Sequence, residues 1–193
     1  MKRKTFFKKI PSEEITPLEI YMRFLDDKNS YFFESVEGGE KWAKYSIIGL
    51  PTDKKIKLSD SPLDEIDDFM KSQKVERIEG LPDFTGGLVG YFSYDTIRHI
   101  EKKLSNSKKP QLNYAEISLM ISDELIVYDN YEKNLFIIVN DFEKNEKLAN
   151  SRIDEILQQI NTPLEDQENS KKNKIEFSSS VSKKDYLQNV KKI

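Results

Sequence analysis

The sequence predicts an α+β protein, with antiparallel β-sheet layers flanked by helices. Three strand-like runs, 115–120, 125–128 and 135–139, follow one another with no helix between them, whereas a parallel sheet would alternate strand with helix. Helix-start signatures stand apart from these runs, at Thr16, at Ser61 and at Ser182. The composition supports a folded chain: one third of its 193 residues are charged, but 11 Phe and 9 Tyr accompany them, too many large apolar side chains for a disordered polymer.

Along the chain, residues 1–10 carry Lys2, Arg3, Lys4, Lys8 and Lys9. Pro11, Ser12, Glu13 and Glu14 follow where a signal peptide would place its apolar run, so the stretch reads as a solvated basic leader. Thr16-Pro17-Leu18-Glu19 has an N-cap hydroxyl, a proline at the first helical position and a glutamate placed to close a capping box. Leu18, Met22 and Leu25 continue it at helical spacing. The polar run 26–30 breaks that helix, and the aromatic-rich run 31–35 reads as a strand. Gly38-Gly39 turns the chain into a second strand at 44–49. Ser61-Pro62-Leu63-Asp64 starts a second helix, with Ile66, Phe69 and Met70 along one side.

Within 82–95, Gly86, Gly87 and Gly90 fall on a strand-like apolar background. Their spacing fits neither a dinucleotide fingerprint nor a P-loop, so they read as places where a strand bends or another backbone approaches. Residues 129–134 join two of the later strands as a hairpin loop. A helical pattern occupies 142–160 through Leu148, Ile153, Ile156, Leu157 and Ile160. A polar connection at 161–173 follows, then a short strand at 175–177. Ser182 caps a last helix carrying Tyr186, Leu187, Val190 and Ile193.

The chain has no cysteine and one histidine, which excludes disulfides, thiolate zinc sites and multi-histidine metal centres. No apolar run nears the roughly 20 residues of a membrane span. With 31 basic against 34 acidic residues, nothing favours nucleic acid or a membrane surface as partner; the expected location is cytoplasmic. His99 has no nucleophile and carboxylate arranged around it in sequence and reads as exposed or helix-terminal. Asp26-Asp27 and Asp67-Asp68 lack calcium-loop spacing and read as solvated. Glu34-Ser35, between an aromatic strand and a Gly-Gly turn, has two readings. A carboxylate and hydroxyl there can hold a small ligand bearing an ammonium, or can simply finish the strand.

Four segments, in order, carry a family resemblance. Residues 32–49, FFESVEGGEKWAKYSIIG, resemble the "LLES…RYSIIG" stretch of anthranilate synthase component I. Residues 84–95, FTGGLVGYFSYD, resemble that family's "FTGGxVGYxxYD" stretch and continue into Ile97-Arg98 and Glu101. Residues 123–129, DELIVYD, are similar to its following strand, and residues 177–180 and 183–192 to the lead-in to its chorismate-binding domain. Phe32-Phe33 stand where the family often has Leu-Leu, and Lys44 replaces a frequent Arg, which removes a bidentate contact.

The resemblance implies the first part of an enzyme of tryptophan biosynthesis that converts chorismate to anthranilate and pyruvate. It implies Mg²⁺ in the full-length enzyme, with its ligands and the catalytic residues outside this chain, and a glutaminase subunit (component II) as partner. It further implies L-tryptophan as inhibitor, bound by Ser35 and Glu34, with Lys44, Tyr45 and Ser46 as lesser parts of the pocket wall. The expected organisation is a regulatory, tryptophan-binding domain at 1–160, a polar linker at 161–174 and the start of a truncated chorismate-binding domain at 175–193, inactive by itself. Two other readings stay open: component I of aminodeoxychorismate synthase, and a stand-alone small-molecule-binding regulatory module without catalysis.

Overall fold

The computed structural model describes residues 3–12, 14–26, 28–34, 44–58, 61–73, 77–104, 114–141, 145–164 and 178–192. It contains β1 (Lys4–Pro11), α1 (Pro17–Arg23), β2 (Asn29–Phe33), β3 (Tyr45–Thr52), α2 (Pro62–Ser72), β4 (Gly87–Phe92), α3 (Ile97–Ile100), β5 (Ile117–Ser122), β6 (Glu124–Asp129), β7 (Asn134–Asp141), α4 (Glu146–Asn161) and α5 (Lys183–Lys191). Five strands form one sheet in the order β1-β7-β6-β3-β2, and β4 pairs with β5 in a second. Every pairing is antiparallel, as the run of consecutive strands predicts.

The large sheet is covered on both faces. On one, Ile126, Tyr128, Leu135, Ile137 and Val139 pack with Ile20 and Phe24 of the α1 region and with Ala149, Ile153, Ile156 and Ile160 of α4. Those four α4 positions recur every three or four residues, which places them on one helical stripe. On the other face, Leu125, Val127, Phe136 and Ile138 pack with Tyr45, Ile47, Leu81 and Phe84. Because side chains alternate between faces, coverage of both explains why β6 and β7 are apolar almost throughout.

Local chemistry sets the element ends. At α1, the Thr16 hydroxyl accepts from the Glu19 N–H at 3.2 Å, and the Glu19 carboxylate accepts from the Thr16 N–H at 2.8 Å. These contacts close the expected capping box; the Thr16 N–H, and then the Thr16 hydroxyl donating to the same carboxylate at 2.7 Å, hold the Glu19 carboxyl below its usual value. At α4 the helix starts behind Asn145, whose side chain accepts from the Leu148 N–H. The helix expected over 142–160 therefore begins later than its apolar pattern suggests, with residues 142–144 outside the described set. The hairpin between β6 and β7 turns on Asp129, whose carboxylate accepts from the N–H groups of Tyr131 and Glu132. The Ser182 hydroxyl accepts from the Asp185 N–H at 3.1 Å, as the sequence predicts, and α5 buries none of its residues. The strand expected at 175–177 lies outside the described residues.

Among the described residues, 3–10 are not a solvated leader, which corrects the expectation from composition. Lys4–Pro11 pairs along its whole length with β7 as an edge strand. Arg3, Thr5 and Phe6 are buried. The lysines mislead because edge strands carry solvent-facing lysines that discourage further pairing. Here Lys8 reaches Asp154 of α4 at 3.0 Å and Lys9 lies over the Phe136 ring.

The glycine cluster behaves as expected. A side chain at Gly90 would overlap the Ser118 carbonyl of the paired strand, so only glycine lets the two backbones come this close.

The two sheets meet at Ser122-Asp123, where the chain passes from β5 into β6. Arg3 donates to the Asp123 carboxylate at 2.6 Å and to the Ser122 carbonyl at 2.9 Å. Lys54 donates to the other carboxylate oxygen at 2.8 Å. Burial pushes the Arg3 guanidinium below its ordinary value, against the pull of Asp123. Arg3 and Asp123 are almost fully enclosed whereas Lys54 is 61% exposed, so the two contacts differ in worth. Breaking a buried pair strands a charge and costs about 3–5 kcal/mol, whereas an exposed one contributes roughly 0–1 kcal/mol. Urea unfolding should show Asp123→Ala losing about 3–5 kcal/mol of stability and Lys54→Ala losing under about 1 kcal/mol.

Candidate functional site

The sequence points to the junction of β2 and β3. β2 is an edge strand, and its register pairs Tyr31 with Gly49, Phe32 with Ile48 and Phe33 with Ile47. Glu34 follows directly, so it leaves the sheet beside the first residues of β3. This brings Glu34 to the same sheet end as Lys44, Tyr45 and Ser46. Ser35, the other half of the pair, lies outside the described residues, as do Gly38 and Gly39.

These residues differ in availability. Glu34 is exposed. Lys44 reaches Asp129 at 3.7 Å and lies over its neighbour's ring, Tyr45, at 5.1 Å. Its ammonium is held above the ordinary lysine value, first by Tyr45 and then by Asp129. Ser46 is fully buried, and its hydroxyl exchanges hydrogen bonds with the Asn130 side chain at 3.2–3.4 Å. The end of the strand pair therefore offers an exposed carboxylate, a half-exposed ammonium and the exposed ring of Phe33.

Behind this end lies a feature that sequence reasoning misses. Tyr31, in sequence no more than an aromatic strand residue, is buried, and its hydroxyl is 2.8 Å from that of Ser122. Its ring occupies the space a side chain at Gly49 would need. Tyr31 and Phe33, two residues apart and so on one face of the strand, have ring centroids 5.0 Å apart. Nothing local in the sequence signals a contact between residues 91 positions apart.

His99 lies in the four-residue helix α3, with Nε2 2.9 Å from the Glu116 carboxylate. This is the helix-terminal position expected. Asp67 and Asp68 are exposed on α2, and Asp67 pairs with Lys71. Among the described residues, no three His, Asp, Glu or Cys side chains gather to hold a metal ion. Among the described residues, clefts lie away from the β2 end. One, of about 350 Å³, is lined by Lys28, Leu50, Thr52, Lys54, Asp123 and Glu124, among others. Another, about 260 Å³, lies between Thr5 and the 77–85 segment.

A sequence profile described as "chorismate binding enzyme" matches residues 28–193. The chain belongs to that family. Among its curated relatives, anthranilate synthase component 1 of Pseudomonas aeruginosa is 37% identical over 175 residues, covering 77% of this chain and 35% of the relative. The protein of the same name from Acinetobacter calcoaceticus is 35% identical over 204 residues, covering 92% and 41%. This chorismate-binding family member thus spans roughly two-fifths or less of the length of these relatives. Its fold matches a crystal structure of anthranilate synthase component I from Streptococcus pneumoniae TIGR4, with a TM-score of 0.54 at 19% identity, over 80% of this chain and 37% of that one. The expectations of family and of an antiparallel α+β fold are both borne out. Among the described residues, no helix of this chain is long and apolar enough to cross a membrane.

Tyr31 supplies a pH test of the site's rear wall. Burial pushes its phenol up to about 12, opposed by the hydrogen bond to Ser122. The unfolded chain, with a tyrosine value of about 10, then releases the proton before the folded one does. The folded state therefore loses stability between pH 10 and 12 and is unaffected by this group below pH 10. Two units correspond to about 2–3 kcal/mol. Chemical denaturation at pH 9 and pH 12 should show Tyr31→Phe losing about that much less stability than the unsubstituted chain.

Proposed function

We propose that this chain is the effector-sensing part of an anthranilate synthase component I, and that L-tryptophan binds at the end of β2 through Glu34 and Ser35. The observation that carries the reading is the β2–β3 register, which ends with Phe33 opposite Ile47 and so brings Glu34 to the sheet end where β3 begins, with Phe33 exposed there. An amino acid brings an ammonium, a carboxylate and here an indole. Glu34 takes the ammonium, the Ser35 hydroxyl adds a polar contact, and the indole fills an apolar pocket of strand side chains, with Lys44, Tyr45 and Ser46 as lesser parts of the wall. Charge-assisted contacts of this kind are the strong ones.

In the complete enzyme, the proposed reaction aminates chorismate with ammonia from a glutaminase partner, component II, and eliminates pyruvate to give anthranilate. Mg²⁺ belongs to that proposal. The described residues of this chain do not fit a Mg²⁺ site, having no acidic cluster to hold the ion, and no step through the metal is assigned to them. Residues 1–160 form the effector domain in this reading, 161–174 a linker, and 175–193 the start of the chorismate-binding part. Tryptophan inhibits by preferring an arrangement with a poor chorismate site, a coupling typically of about 1–3 kcal/mol.

Calorimetric titration of the chain with L-tryptophan should give stoichiometric binding. Glu34→Gln should weaken it by about 1.5–3 kcal/mol, the worth of a hydrogen bond to a charged group. In the full-length enzyme, Ser35→Phe should relieve tryptophan inhibition. Inhibition that survives Ser35→Phe unchanged, or affinity indifferent to Glu34→Gln, contradicts the assignment. The purified 193-residue chain is expected to turn over no chorismate, as absorbance and anthranilate fluorescence would show.

A further inference from the structure

We propose that Tyr31 is a positioning residue that passes occupancy of the β2 end to the glycine-rich β4–β5 ribbon through Ser122. This rests on the effector reading for its ligand, whereas the mechanical link is argued from contacts alone.

The contacts are continuous. At the outer end Phe33 is 54% exposed, one residue before Glu34. Its ring touches that of Tyr31, with centroids 5.0 Å apart. Tyr31 has little room to yield, because its ring is seated over Gly49 in the space a side chain would fill. Its hydroxyl meets the Ser122 hydroxyl at 2.8 Å. Ser122 is 3% exposed and is the last residue of β5, paired with Gly87 of β4. The Ser122 carbonyl takes the Arg3 guanidinium at 2.9 Å, and a Cβ on Gly86 would come within 2.6 Å of the same oxygen. Gly86 has φ +125, a backbone state open to glycine and rarely to others. Movement of Ser122 is therefore felt at the pivot from which β4 leaves.

The receiving element is suited to respond. β4 and β5 form a two-stranded ribbon, an arrangement marginal by itself in water. Further ties run from β5 to the segment after β3, through the Ile121 N–H to the Lys54 carbonyl at 2.9 Å and the Ile56 N–H to the Leu119 carbonyl at 3.2 Å. Among the described residues, the Tyr31 hydroxyl is one of the fastenings between the ribbon and the large sheet. Spatial continuity is not coupling, so the test is a coupling measurement.

Amide hydrogen exchange of the ribbon, residues 87–92 and 117–122, is followed in the whole chain with a double-mutant cycle and no ligand. Phe33→Ala should speed ribbon exchange about fivefold, the lower end of typical couplings. In the Tyr31→Phe background, which keeps the ring over Gly49, and in the Ser122→Ala background, it should change exchange less than about twofold. Equal effects of Phe33→Ala in all backgrounds overturn the proposal. A second arm adds L-tryptophan: slowed ribbon exchange in the unsubstituted chain, lost in Tyr31→Phe at saturating ligand, extends the link to the effector. A non-additive cycle with no tryptophan binding keeps the link and removes the ligand reading. Slowing that persists in Tyr31→Phe overturns the link while leaving the ligand in place.

Discussion

The buried carboxylate of Asp123 stands where the chain leaves the small sheet for the large one, and much of the architecture converges on it. It receives Arg3 from the start of β1 and Lys54 from just after β3. Its own backbone carbonyl accepts from the Asn140 side chain, which also donates to the Thr85 carbonyl ahead of the glycine loop. Thr5 donates to the same Asn140 at 2.7 Å. Five separated stretches of sequence are thereby tied within a few ångströms. Enclosing a charge is expensive, and the opposite charge repays the expense only with good geometry. Such a cluster fixes position more than it adds stability: the sheets could slide on apolar contacts alone, but not without stranding a charge.

How much of this is legible in the sequence follows from range. Local signals survive: the Thr16 capping box, the Ser182 cap, the Asp129 turn and the apolar runs of β6 and β7 are all readable, because each depends on neighbours a few residues apart. β1 is lost because its composition obeys the rule for solvent-facing edges, and that rule resembles the rule for solvated tails. Its identity as a strand depends on β7, about 130 residues away. The Arg3–Asp123 pair and the Tyr31–Ser122 contact are 120 and 91 residues apart and leave no local trace. Of the candidate site, Glu34 is visible from its place after an aromatic strand. The burial of Ser46 behind Asn130 is not, since it depends on the β3–β6 pairing.

The family membership sharpens the meaning of the edge. Among the described residues β2 is an edge strand, and its end presents an exposed aromatic ring and a carboxylate. The relatives are more than twice as long as the portion this chain matches, so the chemistry of the whole enzyme stands as a proposal. The chain supplies a five-stranded sheet, a two-stranded ribbon and, between them, a tyrosine whose hydroxyl meets that of the ribbon's last residue, Ser122.

The most direct measurement is a ¹⁵N-resolved NMR titration of the chain with L-tryptophan, following each backbone amide. The account predicts saturable shifts centred on Phe33, Glu34, Lys44 and Tyr45, with a weaker set at Ser122 and Gly87 and little change along α4. Shifts centred on the cleft of Lys28, Thr52 and Glu124, or none at millimolar ligand, would contradict it.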